Sequence, residues 1–139
     1  MNGITFSPNA VLGFLTWCLL LLTALHSMFL RKKTGAGFMS LHIMDILFVF
    51  VVATVHAALI LAKIIENGWP LQLGTILGIA TWGLVFLALL MGVFRKPLAS
   101  ALKKAYMAIH ILIGILAFAV ATTHGMMIML GQIARLATK

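Results

Sequence analysis

Four long stretches of this chain are almost wholly apolar: roughly Ala10–Leu30, Met39–Ile65, Leu73–Phe94 and Ala105–Gln132. A helix needs about 20 apolar residues to cross the ~30 Å hydrocarbon core of a bilayer, and each stretch is long enough. The prolines Pro8, Pro70 and Pro97 all fall before or between the stretches, where a missing N–H does no harm. The pattern predicts an all-α protein with one domain over residues 1–139, a transmembrane four-helix bundle joined by short loops. Sequential helices then run antiparallel, so the second and fourth run parallel.

Composition sharpens that reading. Hydrophobic residues make up 63% of the chain and charged residues 9%, against ~25% charged in a soluble domain, and the mean hydropathy is +1.18. The net charge of +8 invites nucleic acid as a partner, but its placement argues for a bilayer instead. Arg31, Lys32 and Lys33 follow the first stretch, and Arg95, Lys96, Lys103 and Lys104 lie between the third and fourth. The other ends hold only Lys63, Arg135 and Lys139, with Glu66 beside the first. Positive residues concentrate in loops kept on the synthesis side, which puts both basic loops inside and both termini outside. There the basic loops meet anionic headgroups. With no Lys or Arg before residue 31, the first stretch reads as a retained span and not a cleaved signal peptide. Cys18 is the one cysteine, so neither a disulfide framework nor a C-x-x-C-H haem attachment is expected.

The connections carry their own signals. Ser40 is placed to cap the second helix and Ser100 the fourth. Glu66-Asn67-Gly68-Trp69-Pro70 reads as a tight turn with an interfacial tryptophan.

Chemistry enters through the histidines. His42 and His56 lie in the second stretch, and His110 and His124, at the same spacing, in the fourth. At ~100° per residue this spacing is nearly four turns, so each pair shares a helix face with its members ~21 Å apart. A histidine inside a membrane span is costly and is usually functional. A structural zinc site wants four ligands within a few ångströms, which histidines four turns apart on one helix cannot supply. On parallel helices, however, His42 comes level with His110 and His56 with His124. One imidazole from each helix, at two depths, suits two haems stacked across the membrane, each iron held by two axial histidines.

Small residues fall in register with these positions. Gly78 and Gly92 on the third helix repeat the histidine spacing, as do Gly13 and Ser27 on the first. Gly13 and Gly78 come level with the outer histidines, and Ser27 and Gly92 with the inner ones. Small side chains let a flat macrocycle approach backbone, and they also serve plain helix packing. Thr54, Thr122 and Thr123 lie near the outer pair as candidate hydrogen-bond partners for the rings. Met126, Met127 and Met129 read as apolar filler. Trp82 and Phe86 fill either the space between cofactors or ordinary bundle interior.

Three residues at the inner end stand outside the fourteen-residue pattern. His26, next to Ser27, has three readings: a bond to a haem propionate, a quinone contact, or snorkelling to the interface. Asp45 is the one acid within a span; it is either the partner of a basic residue or a proton acceptor near a quinone. Arg31 is a further candidate contact for a propionate or quinone.

The H-x13-H pattern on two parallel helices, with G-x13-G on a third, resembles the four-helix dihaem core of cytochrome b from quinol-oxidising bc-type complexes. It is similar, too, to the four-helix cytochrome b subunits of bacterial and archaeal respiratory complexes. The resemblance spans about Ala10 to Gln132. It implies two non-covalent haem b groups, on His42/His110 and His56/His124. It further implies an electron-transfer subunit between membrane quinone and a partner subunit, in a bacterial or archaeal cytoplasmic membrane. The chain lacks the second half of the large cytochrome b proteins and the Pro-Glu-Trp-Tyr quinol-site motif, and it has Ser27 where the family has a glycine. Bifurcated quinol oxidation is therefore not expected. The alternatives are a proton or ion transporter using Asp45 and the histidines, and a structural subunit of a membrane complex.

Overall fold

The computed structural model describes residues 8–29 and 37–137, and every regular element in them is helical. The helices are α1 (Pro8–Phe29), α2 (Gly37–Asn67), α3 (Leu73–Val93), the short α4 (Arg95–Leu102) and α5 (Ala105–Ala137). Helices α1, α2, α3 and α5 are each long and apolar enough to cross a membrane. The chain is a multi-pass integral membrane protein built as a four-helix bundle. Arg31, Lys32, Lys33 and Lys139 lie outside the described residues.

Large apolar side chains such as Phe14, Met44 and Ile115 point outward, as they must where the solvent is lipid. The interior is made of smaller groups. Thr16, Leu20 and Thr23 line it from α1, Thr81, Val85 and Ala88 from α3, Val49 and Ala53 from α2, and Ala117 and Ala121 from α5. Such residues let membrane helices approach closely. The buried hydroxyls turn back on their own helices, Thr16 onto Leu12 O at 2.9 Å, Thr23 onto Leu19 O at 2.9 Å and Thr81 onto Leu77 O at 2.9 Å. None of these three hydroxyls is thereby left unpaired in hydrocarbon.

Neighbours in the bundle are α1–α2, α2–α3, α3–α5 and α5–α1. Helices α2 and α5 sit diagonally opposite, and no Cα of one comes within 8 Å of the other. Their side chains therefore meet only across the centre of the bundle.

The two halves of the chain repeat one another. Leu12, Gly13, Thr16, Trp17, Leu19, Leu22 and Leu25 of α1 align with Leu77, Gly78, Thr81, Trp82, Leu84, Leu87 and Leu90 of α3. Likewise His42, Ile43, Phe50, Val52, Ala53, Thr54 and His56 of α2 align with His110, Ile111, Phe118, Val120, Ala121, Thr122 and His124 of α5. The tertiary contacts follow suit. Trp17 Nε1 donates to Thr122 Oγ1 at 3.0 Å, and Trp82 Nε1 donates to Thr54 Oγ1 at 2.9 Å. The bundle is two helical hairpins related by a pseudo-two-fold axis running along it.

The turn after α2 ends in a Schellman motif. Gly68 takes φ +62°, Trp69 N–H bonds Ile64 O at 3.0 Å and Gly68 N–H bonds Ile65 O at 3.4 Å, closing the last carbonyls. Two capping expectations are corrected. Helix α2 begins at Gly37, so Ser40 lies inside its first turn. The connection expected to be a loop ending in a Ser100 cap is instead helix α4, with Ser100 in its interior. Pro97 sits in the first turn of α4, where no intrahelical N–H is needed, so it permits the helix. The break falls later, at Lys103, whose φ of 51° ends α4.

Candidate functional site

Across the bundle axis the histidines meet two by two. At the end that carries α4, the basic end, His42 and His110 have ring centroids 6.1 Å apart with planes at 82°. At the far end the His56 and His124 centroids are 6.4 Å apart with planes at 64°. Both pairings require α2 and α5 to run parallel. Two metal–nitrogen bonds of about 2 Å placed end to end, each continued about 1 Å to a ring centre, give roughly 6 Å between centroids. Both tiers have that spacing.

Hydrogen bonds engage Nδ1 of one ring in each tier. The Ser27 hydroxyl donates to Thr23 O at 2.9 Å, so toward His42 Nδ1, 3.2 Å away, it acts as acceptor. The tautomer that matches this contact carries the proton on Nδ1 and the lone pair on Nε2. At the far tier His124 Nδ1 donates to Gly74 O at 2.7 Å, with the same consequence. At the far tier His56 is set against the backbone of Asn9, the residue of α1 that matches Gly74. At the basic end the second ring lacks such a tether, and Nδ1 of His110 is buried without a hydrogen-bond partner.

The repeat explains part of this difference. The position of α3 matching Ser27 is Gly92, which has no hydroxyl to offer His110. That ring lies parallel to Tyr106, at 6.1 Å and 4°, and the Tyr106 hydroxyl donates to Met91 O at 2.8 Å. Tyr106 precedes His110 by one turn on the same face, and that spacing was the sequence signal for it.

Of the four small residues expected beside the histidines, three touch them. A Cβ on Gly13 would lie 3.3 Å from His56 Cε1 and 3.4 Å from Nε2. A Cβ on Gly78 would lie 3.3 Å from His124 Cε1. Ser27 reaches His42 through its hydroxyl. Gly92 is the correction: a Cβ there would meet Ile43 Cγ1 at 3.9 Å and no imidazole.

Other expectations are reassigned. Thr54 and Thr122 serve Trp82 and Trp17, and Thr123 donates to Ala119 O at 3.0 Å, so none of the three orients a histidine. Met126, Met127 and Met129 are exposed on the outer surface of α5. Between the tiers Trp82 stacks on Phe86 at 5.8 Å and 8° and lies 5.7 Å from Phe50, while Trp17 packs on Phe118 at 6.0 Å. His26 and Asp45, read separately from the sequence, bond each other, with Nδ1 and Oδ2 at 2.6 Å. Arg31 lies outside the described residues. Among the described residues no three His, Cys, Asp or Glu side chains converge as a metal site.

Fold and site together define a membrane-spanning helical bundle with two facing histidine pairs at two depths. Comparison with family models, curated proteins and solved structures returns no match to this chain.

Proposed function

We propose that this protein is an electron-transfer subunit of a membrane redox complex that carries electrons across the bilayer on two non-covalent b-type haems. His42 and His110 would hold one and His56 and His124 the other. The carrying observation is that two histidine pairs repeat one spacing of about 6 Å at two depths on diagonal helices. The bond from His124 Nδ1 to Gly74 O supports it, because that tautomer keeps Nε2 as the nitrogen a metal binds. Gly13 and Gly78 add support by leaving no side chain between backbone and imidazole. Haem, when bound, supplies a one-electron couple at each tier.

The protein's part is to space the tiers, keep water out and tune each site through burial and hydrogen bonds. Half-buried Trp17, Trp82, Phe50 and Phe118 fill the interval, while Phe86, expected in the interior, stacks on Trp82 from the exposed side. The proposed carriers are a membrane quinone and a partner subunit. His26 and Asp45 are the candidate polar contacts for the quinone. On this reading the basic end faces inside and both termini outside, the orientation that the charge bias of the loops favours, and the proposed membrane is a bacterial or archaeal cytoplasmic one.

The test is a reduced-minus-oxidised spectrum of the purified protein with a haem-to-chain ratio. The expected result is low-spin haem b at about two per chain. Replacing His42 or His110 by leucine removes one haem, and replacing His56 or His124 removes the other. A folded, colourless protein ends the proposal. A second reading, proton or ion translocation, rests on the bonded His26–Asp45 pair beside Ser27 and His42. It predicts flux in proteoliposomes without any redox partner, lost in Asp45→Asn.

A further inference from the structure

At the basic end, α4 folds against α3 and α5 and leaves a groove between the three helices. Its volume is about 400 Å³, and Leu90, Phe94, Leu98, Leu102, Ile109 and Ile113 are among its lining residues. The lining is wholly apolar, and its volume falls in the range of small-molecule sites, about 300–1,000 Å³. Leu98 and Leu102 are one turn apart on α4, so they share the face turned to the groove. The positive-φ backbone of Lys103, at φ 51° and ψ −123°, is uncommon for a residue with a side chain. It makes the corner from which α5 departs and so holds α4 in place.

Four cations stand beside this groove. Arg95 follows Phe94 directly, Lys96 comes next, and Lys103 and Lys104 follow Leu102. All four are exposed. The chain has ten Lys and Arg residues but only two acids. One acid, Asp45, is taken by His26 at 2.6 Å. The other, Glu66, is at the opposite end of α2. Neither side-chain carboxylate is placed to pair with the cluster, which leaves these cations open to an anion from outside.

The geometry points to a binding site for one anionic phospholipid, an acyl chain lying in the groove and the phosphate headgroup held by Arg95, Lys96, Lys103 and Lys104. An apolar tail joined to a phosphate is the chemistry that satisfies both features at once. A neutral lipid leaves the cations uncompensated, and a free phosphate leaves the groove unfilled. The site is independent of the histidine tiers and stands whether or not they bind haem.

Each Lys or Arg near an anionic lipid strengthens binding by roughly fivefold, so two engaged cations give about a 25-fold preference. The experiment uses the full chain in neutral detergent, titrated with phosphatidylglycerol or phosphatidylcholine of identical acyl chains and read by native mass spectrometry. The expected result is one phosphatidylglycerol retained per chain with that preference or more. It persists in 20-fold excess inorganic phosphate, used as a probe (roughly, since headgroup screening alone is modest). R95Q/K96Q/K103Q/K104Q removes the preference, and I109W, which fills the groove, weakens phosphatidylglycerol binding with all four cations in place. If the quadruple variant does not fold, added salt replaces it: the wild-type preference must fall as ionic strength rises. Equal retention of the two lipids, full displacement by phosphate, indifference to I109W or salt, or a second copy of the chain in the groove overturns the assignment.

Discussion

Adding one methyl group at each of five glycines separates tight packing on the histidines from loose helix contact. In an open helix interior, Gly→Ala stabilises by about 0.5–1 kcal/mol, because glycine loses more backbone freedom on folding. Gly83 and Gly114 are such places, with no atom within 4 Å of an added Cβ. Gly92 belongs with them, since its nearest neighbour is Ile43 Cγ1 at 3.9 Å. Gly13 and Gly78 differ: the new methyl would sit 3.3 Å from an imidazole carbon in each case. Carbon atoms prefer about 3.5–4.0 Å, so the ring must retreat by a few tenths of an ångström.

Forcing an extra methyl into a filled interior costs about 1–3 kcal/mol. Set against the backbone gain, G13A and G78A should range from neutral to about 2 kcal/mol destabilised. G83A, G114A and G92A should gain up to about 1 kcal/mol. Reversible unfolding in mixed SDS micelles reads both groups on one scale. The two rings are equivalent under the internal repeat, so G13A and G78A should behave alike. If both are stabilised as much as G83A, the rings are not packed on the helix backbone and the reasoning about the far tier fails.

Two further predictions follow from the polar contacts. T54V and T122V each remove the acceptor of a tryptophan N–H, and interhelical hydrogen bonds in membranes average about 0.6 kcal/mol; similar small losses are expected, with T54V adding nothing to W82F, in the same unfolding assay. D45N takes the charge from the bond to His26; such bonds are worth about 1.5–3 kcal/mol, reduced here to about 1 kcal/mol because both side chains are partly exposed. A D45N protein as stable as wild type would show that the pair holds nothing together.

The spans were legible because lipid demands unbroken apolar length, and nothing else in the chain competes with that signal. The facing of His42 with His110 and of His56 with His124 was legible too, since helical period and parallel direction leave little freedom. Helix α4 was not, because Pro97 reads as a breaker unless its position in a first turn is known. The His26–Asp45 bond joins two helices, and no local spacing encodes it. The internal repeat lay in plain view at Gly13-Thr16-Trp17 and Gly78-Thr81-Trp82. Two things hid it. Many positions between the matched ones differ between the halves, and the connection to the second helix is longer in the second half, which shifts the register.

That repeat also says where the two tiers must differ. At the far tier its equivalences are kept: Gly13 with Gly78, Trp17 with Trp82, Thr54 with Thr122 and His56 with His124. At the basic end they break, with His26 matched to Met91, Ser27 to Gly92 and Asp45 to Ile113. Anything held on the axis at the far tier has nearly the same neighbours on either side. At the basic end one side offers a hydroxyl tether and a bonded acid–imidazole pair. The other offers a tyrosine ring and an apolar wall. Half-buried Asp45 puts its carboxylate beside the basic-end tier and has no counterpart at the other, so the two tiers do not share one electrostatic environment. On the electron-transfer reading, two sites built from one duplicated hairpin would still differ in potential, and the polar residues on α1 and α2 would set the difference.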